Sequence, residues 1–484
     1  MPVEYDLVVA SKRILTPSGW FSGQVAIRGG KVVALVAAAE EAPAARRVEV
    51  GEKPVIPGVI DTHVHFRDPG YTYKEDFESG TRAAAAGGVT TVFDMPNVKP
   101  PTTTAERLRA HLANAMAKSM VDFGHIASGA VAENISELAA GGATAIKVWM
   151  QEDVGRDYPH PAGTAVTNHG VLYRVCEEVE RTGLPLFIHC NDQAVYELFF
   201  ERARAEWGLD FRSYAKARRK GGSVVISSGV ATALEFQRST GCRLHVLHVS
   251  TPAAIGMIRQ AKAEGRPVTA EVNPNLMFIA NSWENLERRG PYILGSWVPE
   301  DEAQATWEAV LDGTVDVLAS DHGPHTKEEK EPGWVDMYAT PGGSPTIEHY
   351  LRLLLNAVNE GRISLERVVE LCCLNPAKLM GYSDRKGAIK VGADADLVVL
   401  DMNREEVLSA ATSHYRCGWT PTEGMKIKGA PVMTIRRGEI IMENGNVTAE
   451  PGSGQLLTPV PIQITPALIE TAATPSRSLP GSTR

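Results

Sequence analysis

The sequence lacks features that would assign it to several common classes of protein. No uninterrupted apolar run reaches the roughly 18 residues that a bilayer-spanning helix needs, which argues against a membrane protein. The 49 lysines and arginines are outnumbered by 58 aspartates and glutamates, for a net charge of -9, and no basic stripe is present. A nucleic-acid partner is therefore a poor hypothesis.

Cysteine usage and the first residues bear on location. The six cysteines show no CxxC spacing. The start, MPVEYDLVVA, carries Glu4 and Asp6 where a secretory segment would be basic. Together these features predict free thiols in a reducing, cytoplasmic location.

Two segments near opposite ends of the chain have the same layout. VAIRGGKVVALV reads as strand, glycine turn and strand, and VMTIRRGEIIMENG repeats the pattern after DADLVVLDM. A lone hairpin cannot bury its apolar face. We therefore expect residues 1–55 and 385–450 to form one small β-domain, with two unrelated hairpins as the alternative. The tail, residues 451–484, is rich in Pro, Thr and Ser and is either a disordered end or an arm on a neighbouring subunit.

Eight short apolar runs lie between these segments, and most are separated by stretches of helical periodicity such as AERLRAHLANAMAK. Strands alternating with helices over residues 56–384 favour an α/β fold, a (β/α)8 TIM barrel. An open doubly wound sheet is the alternative, but no GxGxxG follows the first strand. The eight runs are VIPGVIDTHVHF, VTTVFDMP, VDFGHIA, AIKVWM, LPLFIHC, RLHVLHVS, PVTAEVNP and VDVLASDH.

Ligand-type side chains recur at the carboxyl ends of these runs, where a barrel builds its active site. Such groups would be unfavourable if buried unpaired, and imidazoles with a carboxylate suit Zn²⁺ or a related ion. Each has an ordinary structural explanation alone, but their common position favours a metal centre. The residues are His63, His65, Lys147, His189, His248 and Asp321, with Arg67 and His325 close by in sequence.

Side-chain alternation predicts which residues of these strands face inward. Asp61, His63 and His65 should share the inner face of the first strand, with Ile60 toward the helices. His245 is out of phase with His248, as Cys190 is with His189, so both should face the helix layer in structural roles.

The motifs together resemble the amidohydrolase superfamily, and within it the cyclic amidohydrolases: dihydroorotase, allantoinase and hydantoinase or dihydropyrimidinase. The resemblance extends to about residue 450 and implies a metal-dependent barrel beside a β-sandwich built from both chain ends. It also implies a homodimer or homotetramer. The motifs that carry it are DTHVHFRDPG, DMPN, AIKVWM, LPLFIHC, LHVLHVST, ASDHGPH and GADADLVVLD.

The resemblance implies roles for the six ligand-type residues. His63, His65 and Asp321 would bind one divalent ion, and His189 and His248 a second. Lys147 would take up CO2 and bridge the ions as a carbamate. Zn²⁺ is the first candidate, although Mn²⁺, Co²⁺ or Ni²⁺ suit the same ligands. Asp321 would also pass a proton to the departing ring nitrogen.

Further positions bear on the substrate. Arg67, Asn97 and His325 match the residues that hold the substrate carboxylate in dihydroorotases, so we expect opening of a cyclic amide that carries an acidic group. VWMQED after the lysine, NPNL after strand seven and GSWVPEDE depart from the dihydroorotase pattern. Hydantoinase or allantoinase action on a neutral ring is therefore the alternative. A non-catalytic scaffold is less favoured because all six ligand positions are retained.

Overall fold

The chain begins with a hairpin-rich sheet in the computed structural model, which describes residues 5–40, 42–152 and 163–459. β1, β2 and β3 pair antiparallel in turn, whereas β4 and β5 run parallel to β1. The predicted glycine turn is Gly29–Gly30, whose φ values of 57° and 75° favour glycine. Strands β1 to β5 are Tyr5–Thr16, Gly19–Arg28, Lys31–Ala37, Ala44–Glu49 and Val55–Pro57.

Eight parallel strands then form the predicted barrel, each paired with its neighbour along the chain. The barrel closes where Val64 bridges His322 and the His65 N–H donates to the His322 carbonyl at 2.8 Å. Most strand residues are buried, because helices cover the outside and side chains fill the inside. Strands β6 to β13 are Val59–Val64, Val89–Asp94, Asp122–Ser128, Ala145–Trp149, Pro185–His189, Arg243–Val246, Val268–Val272 and Val317–Leu318.

Helices separate these strands as the periodicity predicts. The run AERLRAHLANAMAK coincides with Ala105–Lys118, whose N–H groups are capped by the Thr104 side chain. Across the described ranges, none of the helices has the length and apolar character needed to cross a bilayer. Helices α1 to α15 are Phe77–Ala86, Ala105–Lys118, Ile135–Ala140, His169–Thr182, Gln193–Trp207, Phe211–Ala217, Ser223–Thr240, Pro252–Ala263, Pro274–Phe278, Trp283–Arg289, Glu300–Asp312, Lys327–Lys330, Tyr350–Asn359, Leu365–Val369 and Asn375–Leu379.

The last strands return to the first sheet and confirm that both chain ends build one β-domain. β14 pairs antiparallel with β5, so nine strands form one sheet. Its apolar core mixes residues from both ends, among them Leu7, Val25, Leu397 and Ile435. The strands β14 to β17 are Leu397–Val407, Lys426–Arg436, Glu439–Glu443 and Asn446–Val447.

The beginning of the tail lies under the barrel. Leu456 bridges Phe123 at the start of β8, and Leu457 is buried among the apolar side chains that fill the barrel floor. Residues 451–459 therefore pack against the body of the protein, and residues 460–484 lie outside the described residues.

A buried lysine joins the barrel to the sheet. Lys386 Nζ lies 2.7 Å from Asp122 at the start of β8, and 2.6 Å and 3.2 Å from Asp396 and Asp394 just before β14. Although burial alone would lower the pKa of Lys386, these carboxylates raise it above its usual value. The lysine is therefore charged and holds three acidic groups at the junction of the two domains.

Replacing Lys386 with Met should lower the free energy of unfolding by about 3–5 kcal/mol, because buried carboxylates would lose their cation. Urea denaturation followed by far-UV circular dichroism measures this. Lys53→Met is the matched control, since its Nζ lies 3.5 Å from Asp401 and its side chain is 44% exposed. An equal loss in both variants would contradict the structural role of Lys386.

Candidate metal centre

The first barrel strand leads into a group of three ligand-type side chains. Asp321 Oδ1, just after β13, lies 3.2 Å from His63 Nε2 and 3.5 Å from His65 Nε2. His63 Nδ1 donates to Glu271, and His65 Nδ1 donates to Asn97, both at 2.6 Å. These hydrogen bonds orient both rings so that each Nε2 points toward Asp321, the arrangement that metal-ligating histidines require.

The alternation argument is wrong for the start of this strand. Pairing between β6 and β7 is irregular between Asp61 and Val64. Ile60 consequently packs inside the barrel with Ala145 and Phe187, rather than against the helices. Asp61 accepts the N–H groups of His63 and Ser320 at 3.2 and 3.1 Å, so it braces the backbone beneath the site.

Lys147 on β9 presents a buried amine to the same place. Its Nζ is fully buried, lies 4.7 Å from the centroid of the Trp149 ring, and has no hydrogen-bond partner within the described ranges. Burial lowers the pKa of Lys147 to about 7, against the opposing influence of Glu271 and Asp321. A large fraction of this amine is therefore neutral near pH 7, the form that reacts with CO2.

Two further histidines meet beside Lys147. His189 at the end of β10 and His248 after β11 lie 3.0 Å apart, Nδ1 to Nε2. His189 Nε2 is also 3.2 Å from Gln151 Oε1. Burial lowers the pKa of His248 to about 4, so its imidazole is neutral and able to ligate a metal. All six predicted ligands line one cavity at the carboxyl end of the barrel.

Backbone strain marks the same rim. Arg67, His248 and Asp321 have φ values of 64°, 37° and 49°. They are three of the five non-glycine residues with positive φ in the part of the chain that the structure describes. Strained backbone of this kind concentrates at functional sites, where surrounding contacts enforce a side-chain direction.

Glu271 on β12 is a site residue that the sequence argument missed. Besides binding His63, its carboxylate lies 3.5 Å from His245 Nε2, and it is fully buried. Burial alone would raise the pKa of Glu271, but His63 and His245 hold it well below its usual range. The sequence does contain a sign of this role, namely a single glutamate inside the apolar run PVTAEVNP. A carboxylate buried in such a strand needs a partner.

The prediction for His245 is wrong as well. Its ring lies inside the barrel, 4.5 Å from the Phe187 ring centroid, and its Nδ1 is 2.8 Å from Thr269 Oγ1. The prediction assumed that side chains alternate regularly from His245 to His248. However, β11 ends at Val246, and the positive φ of His248 breaks the alternation. Cys190 packs with the apolar core of the barrel, and it also contributes to the lining of the cavity.

The three predicted substrate-binding residues lie together but not equivalently. Arg67 and Asn97 line the cavity. Arg67 Nε donates to the Pro324 carbonyl at 3.1 Å, and Nη2 is 3.4 Å from His325 Nε2. His325 is fully buried behind Arg67, with Nδ1 3.1 Å from Lys74 Nζ. In this arrangement His325 supports Arg67 rather than facing the cavity.

Apolar side chains share the lining of the cavity with its polar groups. Besides Arg67 and Lys147, the cation among the described lining residues is Arg218, which is bound to Glu302 at 2.9 Å. The cavity therefore offers both polar and apolar contacts to one ligand. The apolar part of the lining includes Trp149, Tyr196, Phe199, Leu276, Trp297 and Met337.

The sequence matches known families along most of its length. Residues 55–441 match the model of the amidohydrolase family, and residues 6–52 match the composite domain of allantoinase. The chain belongs to the amidohydrolase family. This membership and the group formed by His63, His65 and Asp321 support binding of divalent metal ions.

Relatives of this amidohydrolase carry three names at similar identity. It is 34% identical to L-hydantoinase from Paenarthrobacter aurescens, over 94% of this chain and 98% of the relative. It is 33% identical to dihydroorotase from Methanosarcina acetivorans, over 93% and 95%, and 34% identical to allantoinase from Rubrobacter xylanophilus, over 90% and 96%. The protein is thus a cyclic amidohydrolase that acts on C–N bonds, and identity does not favour one substrate over another.

Solved structures of relatives share the whole fold of this amidohydrolase. The structure of L-hydantoinase (dihydropyrimidinase) from Arthrobacter aurescens superposes with a TM-score of 0.88 and 33% identity, covering 94% of this chain and all of that one. A D-hydantoinase structure gives 0.84 at 26% identity, over 93% and 98%. The TIM barrel with a β-sandwich domain is therefore confirmed.

Replacing Glu271 with Gln should weaken zinc binding about 10–100-fold, because His63 would lose the carboxylate that orients it. Competition with a chelator measures the affinity. Glu348→Gln is the matched control, since this glutamate is also buried but accepts the His414 N–H at 2.8 Å, away from the centre. Unchanged affinity in the Glu271 variant would show that the hydrogen bond has no such role.

Proposed function

We propose that this amidohydrolase opens a cyclic amide by hydrolysis, using two divalent metal ions, with Zn²⁺ the first candidate. His63, His65 and Asp321 would hold one ion, and His189 and His248 the other. Lys147, as a carbamate formed with CO2, would bridge them. The observation that carries the proposal is the convergence of all six residues on one cavity.

The chain's own residues fit this chemistry. When bound, two such ions would polarise the amide carbonyl and lower the pKa of a water molecule. Burial alone would raise the pKa of Asp321, but the surrounding histidines hold it well below its usual range, so its carboxylate is ionised at neutral pH. Asn273 Nδ2 donates to Asp321 Oδ2 at 3.1 Å and fixes the group. Asp321 would accept the proton of the attacking water and deliver it to the departing ring nitrogen.

Arg67 favours a ring that bears a carboxylate. Its guanidinium lines the cavity together with His65 and Asn97. Burial lowers the pKa of Arg67 to about 9, which means that the protein interior disfavours its charge. An anionic substituent would offset that penalty through charge-assisted hydrogen bonds, which guanidinium groups form in pairs with carboxylates.

A neutral ring with an apolar substituent is the second candidate. The apolar side chains of the cavity lining, among them Trp149, Phe199 and Trp297, suit such a group. Relatives named hydantoinase and allantoinase are as similar as those named dihydroorotase. The homodimer or homotetramer implied by the resemblance and the cytoplasmic location stay predictions, the first of which light scattering would check.

Replacing Asp321 with Asn should lower turnover by about 10²–10⁴-fold, because the proton acceptor is lost. Rates are measured on dihydroorotate, hydantoins, dihydrouracil, allantoin and cyclic imides after reconstitution with saturating Zn²⁺ and bicarbonate, with metal content determined on the same samples. Asp316→Asn is the control, since Asp316 pairs with Lys262 at 2.8 Å at the opposite end of the barrel. Near-normal rates in the Asp321 variant would exclude its role as proton acceptor.

Replacing Arg67 with Met should separate the two substrate classes. For an acidic ring, kcat/KM should fall about 10–150-fold, the value of a hydrogen bond to a charged group, with little change for a neutral ring. Arg218→Met is the matched control, because its guanidinium lines the same cavity but already binds Glu302. An equal loss on both ring classes would reject the carboxylate contact.

A further inference from the structure

A second group of ligand-type side chains lies behind the catalytic rim. Asp94 ends β7, His125 lies on the neighbouring strand β8, and His111 lies on α2, which connects these strands. The three side chains are at most 2% exposed. None of them lines the cavity of the metal centre. The group therefore belongs to the interface between strands and helix, not to the catalytic site.

Their atoms are spaced as ligands of one tetrahedral ion would be. Asp94 Oδ2 lies 3.3 Å from His111 Nε2 and 3.6 Å from His125 Nδ1, and all three atoms lie within 4.8 Å of one another. With bonds of about 2.0–2.2 Å to nitrogen and oxygen, tetrahedral geometry around zinc separates ligand atoms by roughly 3.3–3.6 Å. Two of the distances thus match the edges of such a tetrahedron.

Other contacts orient the group while leaving these atoms facing one another. His125 Nε2 lies 2.8 Å from Thr102 Oγ1, and Asp94 Oδ1 accepts the Phe66 N–H at 2.9 Å. In the described part of the chain, Asp94 Oδ2, His125 Nδ1 and both nitrogens of His111 form no hydrogen bond of regular geometry, and Oδ2 has only the imidazole contacts given above. Buried polar atoms without partners are rare, and outer hydrogen bonds of this kind are what orient metal ligands.

Charge also favours a cation here. The rings of His111 and His125 lie 3.9 Å apart between centroids, too close for both to be protonated. Burial and the neighbouring His111 lower the pKa of His125 to about 4. Burial alone would raise the pKa of Asp94, but the two histidines hold it well below its usual range, so the carboxylate is ionised.

The acidic group at the junction of the two domains differs from this one in its cation. The other buried acidic group, Asp122 with Asp394 and Asp396, contains its own cation, Lys386. Around Asp94, by contrast, the groups that face Oδ2 are the two imidazoles, and the charge of Arg67 acts through space. The two buried groups thus differ in what faces the carboxylates, an ammonium in one and imidazoles in the other.

We infer that Asp94, His111 and His125 bind a third divalent metal ion of the Zn²⁺ class, separate from the catalytic pair. Because the group is closed off from the cavity, the ion would be structural. It would tie β7, β8 and α2 together and, through Asp94, hold the backbone of Phe66 between His65 and Arg67. The competing occupant of the group is a single shared proton.

Metal counting on the full chain tests the site. Wild type, His111→Gln and Asp94→Asn are loaded with excess Zn²⁺, desalted and assayed for zinc per chain, with folding checked by circular dichroism. Each variant should hold one equivalent less than the wild type. His349→Gln is the matched control, since this buried imidazole binds Thr422 at 2.7 Å and belongs to neither site. Equal zinc content in wild type and folded variants would overturn the inference.

A variant of the catalytic rim keeps this test independent of the proposed function. His63→Ala, His65→Ala, His189→Ala and His248→Ala combined should still hold one ion, and Co²⁺ in its place should give visible absorption bands of a site with nitrogen and oxygen ligands. Loss of that signal on adding His111→Gln would support the site. If the rim variant binds no ion, the third site would be overturned, whereas the proposal of a catalytic metal pair would not be contradicted. If the wild type holds a single ion and only the His111→Gln substitution removes it, the result would support the third site and refute the catalytic pair.

Discussion

The closed parallel barrel is the constraint on which the rest of this structure depends. Closure between Val64 and His322 brings the carboxyl ends of all eight strands to one rim. Polar side chains at that rim lose water, so each needs a partner or a metal ion. The Nδ1 atoms of His63 and His65 bind Glu271 and Asn97, respectively, which leaves the Nε2 atom of each ring for a metal ion. The barrel thus determines both where the ligands meet and which atoms they present.

The candidate metal-binding side chains are held by neighbours that are themselves buried. Glu271 links His63 to His245, and Asn273 binds Asp321. Positive φ angles at His248 and Asp321 are tolerated because surrounding contacts fix them. Stability and function are therefore coupled at this rim, since the contacts that maintain a strained backbone also aim the ligands.

Sequence patterns were sufficient for the architecture and for the rim. The eight apolar runs correspond to the eight barrel strands, and the AERLRAHLANAMAK run matches α2 residue for residue. The errors arose where regular alternation fails. The irregular pairing of β6 turns Ile60 inward. The positive φ of His248 breaks the alternation from which the direction of the His245 side chain was predicted. Glu271 and the burial of His325 depend on contacts between distant strands and loops, which one sequence does not display. The six ligand roles remain predictions that metal analysis will decide.

The sheet shared by the two chain ends has a consequence for synthesis. β1 to β5 leave the ribosome first, but β5 acquires its partner β14 only after the barrel sequence has been made. Until then the apolar faces around Leu7 and Val25 lack the half of their core contributed by Leu397 and Ile435. Until β14 has been made, the edge of β5 therefore lacks its final partner, and unpaired strand edges of this kind are prone to aggregate.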